Sequence, residues 1–277
     1  MSEDDTVTEP RAALGARDER HAEIAPGTRL VIVRHGEAVC NASEFIGGHQ
    51  SCRGLTRRGA AQAELLARRL ERSGELAKAT AFYTSILPRA VETAQIISGG
   101  VGGLVATQRC SLCERHPGEA DGLTWGQYEQ RYARTSLPTE DADLPLSPGG
   151  ESWSAFVRRA ESALVDVALA HPGELIVVVA HGGVIDSSMI RFLGLAGDGA
   201  GTRLHPEHTS LTEWQHIGTK WRLVRYNDAA HFADPDTREV RSPTPLWVER
   251  DPSFGAVEVN GRPAASRVAP PGRRGAG

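Results

Sequence analysis

The chain has 277 residues, 40% of them apolar and 24% charged, with a formal net charge of −4. That is enough apolar sequence for one full globular core with appendages, and its mild acidity argues against nucleic acid or an acidic membrane surface as a partner recruited by bulk charge. No run approaches the roughly 18 apolar residues of a membrane span, and no apolar segment follows the N-terminus as a signal peptide requires, so a cytoplasmic protein is expected.

Residues 1–28 begin acidic (Glu3, Asp4, Asp5), lack periodicity and contain Pro10 and Pro26, the pattern of a disordered arm. Leu30-Val31-Ile32-Val33 reads as a strand buried on both faces. Thr56 is an N-cap for a helix from about Arg57 to Arg72. A short strand near Phe82-Tyr83 leads into a helix opened by Pro88, and a further strand is expected near Leu104-Val105. Residues 115–150 are rich in loop formers. Trp153, Phe156, Val157, Ala160, Leu164 and Val167 then mark an amphipathic helix to about Ala170. Strand 175–179, a helix from about Val184 to Phe192, and a hairpin (210–215 with 221–226) turned at Gly218-Thr219 complete the pattern. Alternating strand and helix predicts a three-layer α/β/α sandwich with a mostly parallel sheet over residues 29–232. Residues 233–277 form a Pro/Gly/Arg-rich tail read as flexible, within which Leu246-Trp247-Val248 is expected to pack back on the domain.

Two of the buried strands end alike. The first runs into Arg34-His35-Gly36 and the later one into Ala180-His181-Gly182-Gly183. Carboxyl ends of strands are where open α/β sheets bind ligands, and charged or polar groups are costly there without a partner. Arg89 falls on the first turn of the second helix, and Glu114 lies just past the third strand. Singly, each has an ordinary structural explanation. Jointly, two arginines, two histidines and a carboxylate make a phosphoryl-transfer set: planar donors for phosphate oxygens, an imidazole nucleophile and a proton donor.

The chain resembles the histidine phosphatase superfamily, which includes cofactor-dependent phosphoglycerate mutases and broad-specificity phosphatases. The likeness is carried by Arg34-His35-Gly36-Glu37, Leu55-Thr56-x-x-Gly59-x-x-Gln62, Thr84-Ser85-x-Leu87-x-Arg89-Ala90-x-x-Thr93-Ala94, Glu114, Gly149-Gly150-Glu151-Ser152, Val179-Ala180-His181-Gly182-Gly183 and Asn227-Asp228-x-x-His231. The resemblance implies His35 as the nucleophile that carries a phosphohistidine. It implies Arg34, Arg89, His181, Gly182 and Asn41 around the phosphate, and Glu114 as acid and then base. His35 must be neutral to attack while His181 helps most as a cation, so the two pKa values are expected to be pushed apart. His49, Arg53, Arg57 and Arg58 are candidates for the mouth of the site, the last two at a helix N-terminus where the macrodipole disfavours cations.

Family mutases carry a tyrosine after Glu-Arg-His, where this chain has Pro117, and a longer basic insertion before the second His-Gly motif. The reading is therefore a metal-independent phosphomonoester hydrolase acting on a small phosphorylated metabolite, with a mutase as runner-up and a non-catalytic binding protein third. A serine hydrolase is excluded by the lack of a Gly-x-Ser-x-Gly elbow. No cofactor is expected, and a homodimer stays open. Cys110-x2-Cys113 with His116 has zinc-like spacing, but a structural site usually draws on two such pairs and no second pair exists. Reduced thiols and no metal are expected.

Overall fold

Leu30, Val31, Ile32 and Val33 are each completely buried, and alternate residues feed opposite cores. Leu30 and Ile32 join a cluster with Phe156, Leu164, Val184 and Ile185, whereas Val31 and Val33 pack with Leu66, Leu70, Ala90 and Ala94. The strand carrying them, β1 (Thr28–Arg34), is thus sandwiched between helical layers, each buried aliphatic side chain contributing about 1.5–3 kcal/mol. The computed structural model describes residues 27–133, 142–195 and 204–233, with Thr237, Val240 and Arg241.

The other strands are β2 (Ala81–Thr84), β3 (Thr107–Gln108), β4 (Leu175–Ala180), β5 (Leu211–Ile217) and β6 (Lys220–Asp228). The helices are α1 (Val39–Ala42), α2 (Arg57–Ser73), α3 (Pro88–Ile97), α4 (Trp125–Tyr132), α5 (Trp153–Leu169) and α6 (Gly182–Phe192). The six-stranded sheet has the order β3-β2-β4-β1-β5-β6. β3, β2, β4 and β1 are mutually parallel, while β5 and β6 form the antiparallel hairpin at one side. Parallel register places Arg34 opposite Ala180 and Thr84 opposite Val179. The two His-Gly ends and the entry to α3 therefore emerge side by side.

One strand is shifted from its expected place, and further detail comes from the loops and ends. The strand expected near Leu104-Val105 is β3, displaced towards the C-terminus: Val105 is 92% exposed, and Thr107 and Gln108 pair with β2. Gly102 and Gly103, both at positive φ, delay the chain's return to the sheet edge. The loop-rich 115–150 stretch contains α4, whose Thr124 and Gln127 form a capping box. Thr28 starts β1, accepts from Gly173 N and donates to the His171 carbonyl. In the predicted tail, Val240 O accepts from Gln62 Nε2 at 2.9 Å and Arg241 pairs with Glu207. Residues 1–26 and the Leu246-Trp247-Val248 segment lie outside the described residues. No described helix is long and apolar enough to cross a membrane.

Candidate active site

His35 is 3% exposed at the end of β1. Its Nδ1 lies 2.6 Å from the Gly36 carbonyl, which can only accept, and its Nε2 receives a hydrogen bond from Arg89 Nε at 3.2 Å. The two contacts select the neutral tautomer with the proton on Nδ1 and the lone pair on Nε2. The neighbouring motif residues build the seat. Gly36 N donates to Thr93 Oγ1 and Glu37 N to Gln62 Oε1. The Glu37 carboxylate accepts from Thr56 Oγ1 at 2.7 Å and from Arg58 Nη1 at 3.3 Å. Gly36 and Gly59 meet so closely that a Cβ on Gly59 would fall 2.0 Å from the Glu37 carbonyl oxygen.

Around His35 stand His181, with ring centroids 5.1 Å apart, and His208 at 5.6 Å. His208 Nδ1 donates to the His35 carbonyl at 3.1 Å. Arg34 donates through Nη1 to the Pro206 carbonyl, and Arg89 through its own Nη1 to the Gly47 carbonyl and the Cys52 sulfur. Two members stay underused. Both ring nitrogens of His181 and Nε of Arg34 are buried without a protein partner. Buried polar groups are rarely left so, and each costs about 1–3 kcal/mol. Arg34 Nε and an N–H of His181 are thus donors free to meet an anion.

Burial depresses His35, His181 and His208 well below the ordinary imidazole range, and the cationic arginines add to it: Arg89 at His35 and His181, Arg34 at His208. Both imidazoles are thus pushed in the same direction in the free site, each by burial first and by Arg89 next. Burial likewise pushes Arg34 down to about 10, opposed first by the negative charge of Glu114.

Glu114 follows a 3₁₀ turn, Cys110–Leu112, and its carboxylate oxygens accept from Arg115 N and from Gly183 N, both at 3.0 Å. It is thereby tied to the first turn of α6, with His181 as N-cap. Arg159 braces the same segment. It donates to the carbonyls of Ser111, Cys113 and Glu114 and forms paired 2.7 Å contacts with Glu151, which accepts from His116 N.

The site therefore unites Arg34, His35, Arg89, His181, Gly182 and Glu114 and adds His208 and Arg159, which sequence reasoning missed. Asn41 is exposed, and its Oδ1 accepts from Ala38 N at the start of α1. Arg58 reaches back to Glu37, and Arg53 and Arg57 are exposed. His49 stands instead beside Cys110 and His116. A shallow cleft of about 470 Å³ is lined by Gln50, Gly118, Glu119, Asp121, Pro148 and Gly149. Its charged groups are carboxylates, so it does not suit a phosphate.

A mostly parallel sheet with helices on both faces, bearing histidines and arginines at neighbouring strand ends, defines an α/β protein suited to an anion. The model of the histidine phosphatase superfamily (branch 1) matches residues 30–229, and the chain belongs to that superfamily. It is 35% identical over 210 residues to phosphoglycerate mutase-like protein 4 of Arabidopsis thaliana, covering 74% of this chain and 87% of the relative. It is 31% identical over 208 residues to the metal-independent phosphoserine phosphatase of the same plant, covering 74% and 84%. Among solved structures, a mycobacterial glucosyl-3-phosphoglycerate phosphatase in complex with VO3 superposes with a TM-score of 0.59 at 27% identity, covering 72% of this chain and 98% of that one.

Proposed function

We propose that the chain hydrolyses phosphomonoesters of small metabolites through a phosphohistidine on His35. The observation that carries this reading is the hydrogen-bond pattern of His35, which leaves the lone pair on Nε2 within a cradle of arginine and imidazole donors. In the first step Nε2 forms a bond to phosphorus as the ester P–O bond breaks, and the Glu114 carboxyl passes its proton to the leaving oxygen. Arg34, Arg89 and His181 hold the equatorial oxygens, with the α6 N-terminus at Gly182 behind them. In the second step Glu114 takes a proton from water, the water oxygen attacks phosphorus, and the P–N bond breaks to release phosphate. Splitting one displacement into two lets the same cradle neutralise charge twice.

Relatives named for phosphoserine and glucosyl-3-phosphoglycerate favour a small phosphorylated acid as substrate. A mutase is the second reading, favoured by a 31% identical relative from Serratia proteamaculans described as a probable phosphoglycerate mutase. Against it stands Pro117 in place of the mutases' tyrosine. The deciding assay offers phosphoserine, 3-phosphoglycerate and sugar phosphates without added divalent metal, with and without bisphosphoglycerate. Phosphate release that vanishes in His35→Ala, with acid-labile phosphate trapped on the wild-type chain, supports the phosphatase. Isomerisation to 2-phosphoglycerate with little free phosphate makes it a mutase, and silence in both arms rejects both.

A further inference from the structure

His49, Cys110, Cys113 and His116 each place one donor atom in a cluster whose members all lie within 4.8 Å of one another. Cys110 Sγ is 3.4 Å from His49 Nε2 and 3.7 Å from His116 Nε2, and the two imidazoles meet edge to face with centroids 4.7 Å apart. A tetrahedral ion bonded to sulfur at about 2.3 Å and to nitrogen at about 2.0 Å holds unlike donors roughly 3.5 Å apart and its sulfurs roughly 3.8 Å apart. The two Cys110 distances match the first of these, and every other pair of donors lies within 4.8 Å. We propose that these four residues form a structural zinc site of the Cys2His2 type, independent of the phosphoryl-transfer reading.

The surroundings fit a metal centre. His116 Nδ1 faces Glu151 Oε2 at 3.7 Å, leaving Nε2 for the ion, and Arg159 fixes that carboxylate. Cys113 Sγ accepts from Ser85 Oγ at 3.2 Å. A carboxylate behind a ligating imidazole and a hydrogen bond to a thiolate are the usual outer supports. Two thiolates cancel the charge of a divalent ion. Four protein donors close its coordination shell, which marks the site as structural. The placement gives it a purpose. Cys110 and Cys113 bracket the turn that ends at Glu114, and His49 lies in the loop whose Gly47 carbonyl and Cys52 sulfur seat Arg89. The ion would pin the acid-bearing segment to the arginine-seating loop.

The test begins with wild-type chain purified under reducing conditions without chelator. One equivalent of zinc is expected, and replacement by cobalt(II) should give the intense visible bands and near-ultraviolet thiolate-to-cobalt absorption of a tetrahedral two-sulfur site. Cys110→Ser and His49→Ala should each lose most of the metal, whereas Cys52→Ser keeps it; stripping zinc should lower Tm and re-addition restore it. A wild-type chain that takes up neither metal overturns the proposal. So does a weak, octahedral cobalt spectrum, or zinc retained in a Cys110→Ser/His49→Ala double variant. The cobalt spectrum is read on the wild-type chain, so a variant that fails to fold leaves the test decisive.

Discussion

Arg89 Nε donates to His35 Nε2 at 3.2 Å, so a guanidinium rests on the very nitrogen assigned to attack phosphorus. In the free site the cation and the lone pair satisfy one another. An arriving phosphate offers Arg89 better acceptors, and its transfer to a phosphate oxygen releases the lone pair next to the phosphorus. In the proposed reaction, substrate binding and nucleophile exposure are thus one event. Arg89→Lys keeps the charge but loses the planar fork and the Nε contact. It should lower kcat/KM by about 10²–10³, the usual cost of one such donor. Steady-state kinetics with a matched thermal melt check this; a loss under tenfold in a folded variant would remove Arg89 from the cradle.

The tautomer of His35 can be seen directly. Proton-detected ¹⁵N spectra of the imidazoles should show His35 protonated at Nδ1 and bare at Nε2. That state should persist as pH falls through the ordinary imidazole range, since burial and then Arg89 oppose a second proton. Titration near pH 6.5, or a proton on Nε2, would contradict the arrangement.

Stability should follow pH with a definite sign. His35, His181, His208 and His231 are all depressed by burial, His231 from 6.5 to about 4. Below about pH 6.5 the unfolded chain binds protons that the folded one refuses, so stability falls as pH falls through that window. His231 alone accounts for up to about 3 kcal/mol by pH 4. Melting curves should show Tm dropping steadily below pH 6.5, less so in His231→Asn and less so with phosphate present, because an anion favours a protonated His181. A flat profile would sink this account.

The parts of this fold legible in the sequence were those buried on two faces. Leu30–Val33 of β1 and all of β4 are short aliphatic runs whose alternate side chains enter different cores, so no residue in those runs is polar. β3 was misplaced because an edge strand of two pairs buries nothing that composition would mark. Arg159 escaped notice because an arginine within an amphipathic helix ordinarily faces water, whereas this one turns inward to three carbonyls and Glu151. His208 lies in a loop without periodicity. His49 is 61 residues from the cysteine it meets, so the second half of the Cys2His2 cluster had no local spacing to show it.

Gly59 carries a prediction about packing. Its missing side chain admits the Glu37 carbonyl, and the matching gap at Gly36 admits Gly59 O, at which a Cβ would come within 2.4 Å. Gly59→Ala must push α2 from the His35 seat, at a cost typical of overpacking, about 1–3 kcal/mol. Denaturant melts should register that loss together with a fall in kcat, since Glu37 N is tied to Gln62 on the displaced helix. An alanine accommodated with unchanged stability would show the contact to be slack.

Glu114 and Arg159 should separate chemically. Glu114→Gln keeps the shape and the acceptor facing Gly183 N but carries no transferable proton. Its kcat/KM should fall about 10²–10⁴-fold for alkyl phosphates and far less for nitrophenyl phosphate, whose leaving oxygen needs no acid. Arg159 touches no reacting atom in this scheme; it positions Glu114 by holding the backbone carbonyls of Ser111, Cys113 and Glu114. Arg159→Met should reduce turnover while keeping a similar preference among leaving groups in proportion to the acid that remains in place, and it should lower Tm, because Glu151 loses its paired donors. Comparing the two leaving groups in both variants distinguishes the roles. Equal losses for nitrophenyl and alkyl esters in Glu114→Gln would argue that the proton reaches the leaving oxygen from elsewhere. An Arg159→Met enzyme with full activity and unchanged Tm would mean that the α6 contact alone holds the carboxylate.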